Sequence, residues 1–176
     1  MKLHGTTILA VRHKGTVVVA GDGQVTLHET IIKHKAKKVR RIYNDNIIVG
    51  FAGATADALN LYERLETKLE RYNGNLMRSA VELARDWRSD KYLRNLDAIM
   101  IAVDTTSIFL ISGSGDVIEP DEGLIGIGSG GPVAQAAAAA LVRHSNLNTK
   151  EITEAAMKIA ASICIYTNND ITIEEI

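Results

Sequence analysis

Apolar and polar residues follow two distinct periodicities along the chain, and these predict where strands and helices lie. Short β-branched runs at 7–11 and 16–20 flank a turn at Lys14-Gly15, which predicts a hairpin. Residues 47–53 form an unbroken apolar run, so both faces of a strand there would be apolar, which is typical of an interior strand. Four further apolar runs predict strands at 97–103, 107–112, 124–127 and 171–175.

Apolar residues at three- and four-residue steps predict four helices. The first covers about 55–72, and the second follows Asn75, a residue type that caps helix N-termini. The third is alanine-rich and starts near Pro132, and the fourth covers about 148–165. Because helices occur in pairs and strands in groups, the pattern favours sheets covered by outer helical layers over alternating β-α-β units.

Composition is that of a single-domain globular protein and excludes several function classes. Among 176 residues, 46% are apolar and 23% charged, and the formal net charge of −1 gives no overall field that attracts nucleic acid or anionic membranes. No uncharged apolar stretch reaches the roughly 18 residues of a membrane span, and residues 1–5 are too short for a signal peptide. The single cysteine, Cys164, excludes an internal disulfide, and we expect it to be buried. We expect a cytoplasmic protein with no membrane partner.

Two polar stretches near the N-terminus carry candidate chemistry. Gly5-Thr6-Thr7 precedes the first strand. A threonine at a newly freed N-terminus holds a hydroxyl nucleophile and an amine base in one residue. The same residues also fit a plain N-terminus that runs into a strand. Gly21-Asp22-Gly23 predicts a bend that aims one carboxylate.

Two other runs each allow two interpretations. Because only 5% of residues are aromatic, the basic run at 33–41 fits a solvated or interface surface better than a nucleic-acid site, and one of its lysines could instead lie buried beside Asp22. Residues 126–131 match the G-x-G-x-x-G dinucleotide pattern, but the predicted helix after them leads into another helix instead of a return strand. The alternative is that these glycines let backbone approach a reaction centre. No cysteine or histidine spacing indicates zinc.

Seven stretches taken together resemble one family. In chain order they are Gly-Thr-Thr-Ile at 5–8, Gly-Asp-Gly-Gln at 21–24, Lys-Lys-Val-Arg-Arg at 37–41, Gly-Phe-Ala-Gly at 50–53, Asp-Trp-Arg at 86–88, Gly-Ser-Gly-Gly-Pro at 128–132 and Ile-Cys-Ile-Tyr-Thr-Asn at 163–168. They are similar to the HslV (ClpQ) family, proteolytic subunits of bacterial ATP-dependent proteases that are related to proteasome β-subunits. The resemblance implies an α+β fold, a four-layer αββα sandwich of the N-terminal-nucleophile hydrolase type. It also implies that residues 1–5 are a propeptide removed by self-cleavage and that 6–176 form one protease domain.

The same resemblance implies a role for each site residue. Thr6 matches the catalytic N-terminal threonine, whose hydroxyl attacks a peptide carbonyl while its own α-amine takes the proton. Asp22 and Lys38 match the pair that sets the charge around that amine. The backbone N–H of Gly50 matches the oxyanion donor, and Ser129 matches a serine that bonds near the amine.

A cation and an assembly are implied as well. A sodium-type ion would be held by the main-chain carbonyls of Ala161, Cys164 and Thr167, with no organic cofactor. Many relatives carry glycine where Ala161 stands, and a positive φ there would strain alanine. The family forms two stacked hexameric rings capped by the HslU AAA+ ATPase, which uses ATP and delivers unfolded protein substrates, with no nucleic acid. A proteasome β-type subunit working with an α-ring is the alternative within the same class.

Overall fold

The computed structural model describes residues 6–53, 55–91, 93 and 98–176. For residues 3–4 and 55–57 it describes the backbone alone. Residues 1, 2, 5, 54, 92 and 94–97 lie outside the described part.

Strands occupy both halves of the chain, and helices occur in two consecutive pairs. The strands are β1 Leu3–His4, β2 Thr7–His13, β3 Thr16–Asp22, β4 Val25–Leu27, β5 Thr30–Lys33, β6 Val39–Ile42, β7 Ile47–Ala52, β8 Ile99–Val103, β9 Ile108–Ser112, β10 Val117–Ile118, β11 Leu124–Gly128 and β12 Ile171–Glu175. The helices are α1 Thr55–Arg71, α2 Leu76–Ser89, α3 Gly131–His144 and α4 Thr149–Ile163.

The described strands form three antiparallel sheets. The first has the order β11-β2-β3-β12, the second β10-β9-β8-β7-β6, and a small third sheet has the order β1-β4-β5. In the first sheet the predicted hairpin pairs Ile8 with Gly21 and His13 with Thr16. In the second sheet β7 lies between β6 and β8 with every residue buried, which confirms the interior strand predicted at 47–53.

Side chains of each strand alternate between two faces, and this alternation produces the layers. In β2, Ile8 and Ala10 contact the second sheet, whereas Leu9 and Val11 contact α3 and α4. The opposite face of the second sheet packs against α1 and α2. The order of layers is therefore helices, sheet, sheet, helices, which confirms the expected αββα sandwich.

Local sequence explains where the helices begin. The Asn75 side chain accepts a hydrogen bond from Arg78 N at the start of α2. At the start of α4, Asn148 and Glu151 form a reciprocal capping box. Pro132 lies in the first turn of α3, where its missing N–H costs no helical bond.

Five strands are absent from the sequence-based prediction, namely β1, β4, β5, β6 and β10. In β6 only Val39 and Ile42 are buried, so the basic run conceals the strand periodicity. All four residues of β5 are exposed, which leaves no apolar alternation to detect. The predicted strand start at residue 97 lies outside the described residues, and β8 begins at Ile99.

Two leucines of α1 provide a test of how this helix packs against the second sheet. Leu65 is 0% exposed and Leu59 is 44% exposed. We expect Leu65→Ala to lower the free energy of unfolding by about 2–5 kcal/mol, because it leaves a cavity in the core. Leu59→Ala should change it by no more than about 0.5 kcal/mol. Urea denaturation followed by circular dichroism measures both, and equal losses would contradict the assigned layer order.

Candidate active site

A buried carboxylate lies at the centre of the site. Asp22 ends β3 and is 0% exposed. Its Oδ1 accepts hydrogen bonds from Thr7 N at 2.7 Å and from Lys38 Nζ at 2.8 Å. Its Oδ2 accepts a bond from Gln24 N at 3.0 Å. Asn168 N also donates to Oδ2 at 3.4 Å, so four donors hold this carboxylate in one orientation.

The lysine that faces Asp22 comes from the basic run. Lys38 directly precedes β6, and its side chain is only 8% exposed. Its Nζ also donates to the main-chain oxygen of Gln24 at 2.5 Å. Burial lowers the pKa of the Lys38 ammonium, while the neighbouring Asp22 charge opposes that shift. The prediction that one lysine of the run lies beside Asp22 is confirmed, whereas Lys33, Lys35 and Lys37 are exposed.

Two consecutive threonines lie near this pair, and the second bonds to Asp22 through its main-chain N–H. Thr6 directly precedes β2 and is 9% exposed. Thr7 is fully buried, and its Oγ1 lies 2.6 Å from Thr167 Oγ1. The same Oγ1 accepts a bond from Gly130 N at 3.1 Å. Because Thr7 N bonds directly to Asp22, Thr6 is held one residue from the buried charges. The expected cleavage after Gly5 involves a residue outside the described part.

The glycines at 126–131 allow close approach to the two threonines. A Cβ at Gly128 would lie 2.0 Å from Thr6 O, and one at Gly130 would lie 2.3 Å from Thr7 Oγ1. Gly128 also has a φ of +82°, which side chains rarely adopt. Moreover, β11 runs antiparallel to β2, and α3 leads into α4. The run therefore lacks the βαβ setting of a dinucleotide site.

The other two predicted site residues flank the same region. Gly50 lies in β7, where a Cβ would come within 2.6 Å of Ile8 Cγ2, two residues after Thr6. Ser129 lies between Gly128 and Gly130 and is exposed. The structure thus bonds Asp22 directly to the threonine strand and Lys38 to Asp22, and places Gly50 and Ser129 among the neighbours of that strand.

The loop after α4 supplies contacts that sequence reasoning missed. Asn168 Oδ1 accepts a hydrogen bond from Gly23 N at 3.1 Å, and Gln24 Nε2 donates to Ile165 O at 2.9 Å. Thr167 adds the hydroxyl contact to Thr7. The motifs at 21–24 and 163–168 are both visible in the sequence, but nothing in either one indicates that they contact each other.

The three carbonyls expected to bind a cation lie at the C-terminal end of α4 and just beyond it. Ala161 lies in the last turn of α4 with right-handed backbone, so the strain expected from a positive φ does not arise. Cys164 is the C-cap and is partly exposed, which corrects the expectation of a buried thiol. Its carbonyl accepts a bond from Thr167 N at 3.0 Å. Within the described residues, no cluster of three or more His, Cys, Asp or Glu side chains could hold a metal ion.

No helix in the described part of the chain is long and apolar enough to cross a membrane.

Comparison with known sequences gives a match over nearly the entire chain. A family model described as "Proteasome subunit" matches residues 2–176. The "ATP-dependent protease subunit HslV" of Syntrophobacter fumaroxidans is 60% identical over 174 residues, covering 99% of this chain and 97% of the relative. The protein of the same name from Aquifex aeolicus is 57% identical over 176 residues, covering 100% of both chains.

Comparison with solved structures also finds an HslV protein. Eukaryotic HslV from Trypanosoma brucei superposes with a TM-score of 0.92 at 44% identity, covering 96% of this chain and 98% of that one. BPH from Thiobacillus denitrificans superposes with a TM-score of 0.73 at 18% identity, covering 97% of each chain, and this likeness shows the fold alone.

The pair of Asp22 and Lys38 provides a test of burial. Asp22→Asn leaves the Lys38 ammonium buried without its counter-charge, so we expect the free energy of unfolding to fall by about 3–5 kcal/mol. Glu154→Gln is the matched control, since Glu154 Oε1 lies 2.7 Å from Lys158 Nζ on the surface of α4. We expect no measurable change from the control, because exposed pairs contribute little. Urea denaturation of both variants measures the difference, and similar behaviour would contradict a buried pair.

Proposed function

The chain belongs to the proteasome subunit family, and from that premise we propose how its residues cleave peptide bonds. The resemblance inferred from seven sequence motifs is confirmed by full-length relatives at 57–60% identity. The chain is a threonine peptidase, the proteolytic subunit of an ATP-dependent protease. One observation carries the mechanism that we propose. The buried Asp22 carboxylate accepts both Thr7 N and Lys38 Nζ, which sets fixed charges one residue from Thr6.

We assign the nucleophile to the Thr6 hydroxyl and the base to the Thr6 α-amine. Residues 1–5 are a leader whose removal after Gly5 frees that amine, and residues 6–176 are the mature protease domain. An α-amine has a pKa near 7.7–8.0, so an appreciable fraction is unprotonated at neutral pH. In this proposal, the Lys38 ammonium, paired with Asp22, disfavours a second positive charge at the amine.

The backbone near the leader is consistent with this arrangement. Leu3 and His4 form β1, which pairs with β4 opposite Leu27 and Thr26. The Thr26 hydroxyl accepts a hydrogen bond from Gln24 Nε2 at 3.0 Å, and Gln24 in turn contacts Asp22 and Lys38. The leader backbone therefore runs along β4, the strand that directly follows the turn beside the buried charges.

The reaction then proceeds by acyl transfer. The Thr6 hydroxyl attacks a substrate carbonyl while the amine accepts its proton, and the resulting oxyanion is stabilised by the N–H of Gly50. A single oxyanion donor is commonly worth about 2.7–4 kcal/mol. The amine returns the proton to the leaving peptide, and water hydrolyses the acyl-enzyme by the reverse sequence. We assign to Ser129, exposed between Gly128 and Gly130, the role of bonding near the amine.

Replacing the nucleophile tests the mechanism. We expect Thr6→Ala to keep residues 1–5 attached and to hydrolyse peptides at least about 10³-fold more slowly, because both chemical roles belong to this residue. Thr6→Ser keeps the hydroxyl and should still be processed. Thr105→Ala, at an exposed threonine, is the control for an ordinary threonine loss. Intact mass and peptidase rate are measured for each, and an active Thr6→Ala protein would refute the mechanism.

We propose that the carbonyls of Ala161, Cys164 and Thr167, at the end of α4 and just beyond it, bind a sodium ion. The last carbonyls of a helix have no helical partner, and that end of the helix dipole favours a cation. The donors at Ala161, Cys164 and Thr167 are all neutral oxygens, which suit hard cations. A bound ion would stabilise the loop whose Thr167 hydroxyl contacts Thr7. It supplies no proton or electron to the reaction.

Thermal unfolding tests the ion. At a sodium concentration ten times its dissociation constant, binding should stabilise the fold by about 1.4 kcal/mol. This should raise Tm by a few degrees relative to an equal concentration of choline chloride. Differential scanning fluorimetry measures the shift, and identical Tm values across a sodium titration would contradict a structural ion.

As a member of this family, the chain works as a proteasome-like oligomer with an ATPase partner. We propose two stacked hexameric rings, the HslU ATPase as that partner, unfolded proteins as substrates and a cytoplasmic location. Exposed apolar side chains at Ile163 (64% exposed) and Ile165 (79% exposed) are consistent with further burial between subunits. Relatives that are named HslV over their full length favour this assembly over one with a separate α-ring.

A further inference from the structure

The tip of the Lys38 side chain is fixed separately from its backbone. The Lys38 carbonyl accepts a hydrogen bond from Phe51 N at 3.2 Å, which ties the lysine backbone to β7. Its Nζ, at the other end of a flexible side chain, contacts Asp22 Oδ1 at 2.8 Å and Gln24 O at 2.5 Å. The position of the ammonium therefore depends on where those two oxygens lie.

The Gln24 carbonyl belongs to a segment that no sheet holds. Residues 23–24 connect β3 to β4 and lie outside both strands. Hydrogen bonds other than a strand ladder must therefore fix this carbonyl. One comes from Gln24 N to Asp22 Oδ2 at 3.0 Å.

The Gln24 side chain supplies further bonds, in addition to the one from Ala36 N to Gly23 O at 2.9 Å. Gln24 is 3% exposed, and its Nε2 donates to Ile165 O at 2.9 Å and to Thr26 Oγ1 at 3.0 Å. The first bond reaches the loop after α4, which also contacts the turn through Asn168 and Gly23. A buried amide that donates to two fixed acceptors resists rotation, because any other orientation leaves those groups unpaired.

We propose that Gln24 is a positioning residue of the threonine peptidase site. Its side-chain amide bonds to the loop after α4 and thereby fixes its own main-chain carbonyl, and this carbonyl holds the Lys38 ammonium in place beside Asp22. Gln24 does not touch the substrate; it acts on the reaction through Lys38. The inference rests on the proposed function, in which Lys38 sets the charge around the Thr6 amine.

The test compares two changes at Gln24 with one matched control. Gln24→Met keeps a similar volume and removes the Nε2 donor, and Gln24→Glu keeps the shape but cannot donate when ionised. Gln135→Met is the control, since the partly buried Gln135 accepts a hydrogen bond from Gly126 N at 3.0 Å and lies in α3, in the helical layer outside the first sheet. We expect both Gln24 variants to lose about tenfold or more in kcat with KM unchanged within about twofold, and the control to keep kcat within about twofold.

A crystal structure of Gln24→Met gives a readout that does not depend on activity. We expect Nζ of Lys38 to lose its contact with the carbonyl of residue 24. An unmoved ammonium, an unchanged kcat, or a loss confined to KM would each overturn the inference. If Gln24→Met does not fold, the isosteric Gln24→Glu decides. A wild-type chain that keeps its leader and cleaves no peptide would instead refute the proposed function, and the crystal structure would still decide how Lys38 is held.

Discussion

The ion pair between Asp22 and Lys38 joins the two sheets of the sandwich. Asp22 ends β3 in the first sheet, whereas Lys38 directly precedes β6 in the second. A buried ion pair is weak support for stability by itself, because the cost of removing both charges from water offsets their attraction. The pair instead fixes the positions of the groups that bond to it. The carboxylate accepts hydrogen bonds from Thr7 N and Lys38 Nζ together, and this fixes the relative position of the two sheets at this edge.

Close contact between the layers depends on glycine where the threonine strand passes. Ile8 fills the space above Gly21 on the neighbouring strand and above Gly50 on the opposing sheet, where added Cβ atoms would lie 2.8 Å and 2.6 Å from its side chain. Gly50 therefore has a packing role besides the oxyanion role that we propose for it. A substitution at Gly50 would disturb both, which makes it a poor probe of catalysis alone.

Sequence reasoning predicted the parts of the fold that periodicity encodes. The hairpin of β2 and β3, the interior position of β7 and the cap at Asn75 are all local patterns, and the structure confirms them. It missed β5 because an exposed strand has no apolar period. It also missed the contact between Gln24 and Ile165, which lie 141 residues apart. The residues around each one do not indicate the other, because contacts between distant residues depend on how the sheets and helices pack together.

These contacts between distant parts of the chain determine when, during folding, the active site is complete. The turn at 23–24 is held by the loop at 165–168, and β12 pairs with β3 just beyond that loop, opposite Asp22. The buried charges come from the first quarter of the chain, but their final positions require the last. Under the proposed mechanism, a partly folded chain would have Thr6 without a fixed lysine, and its leader would remain attached. Correct closure of the fold would then precede chemical activation, which suits a protease that must not act before it is assembled.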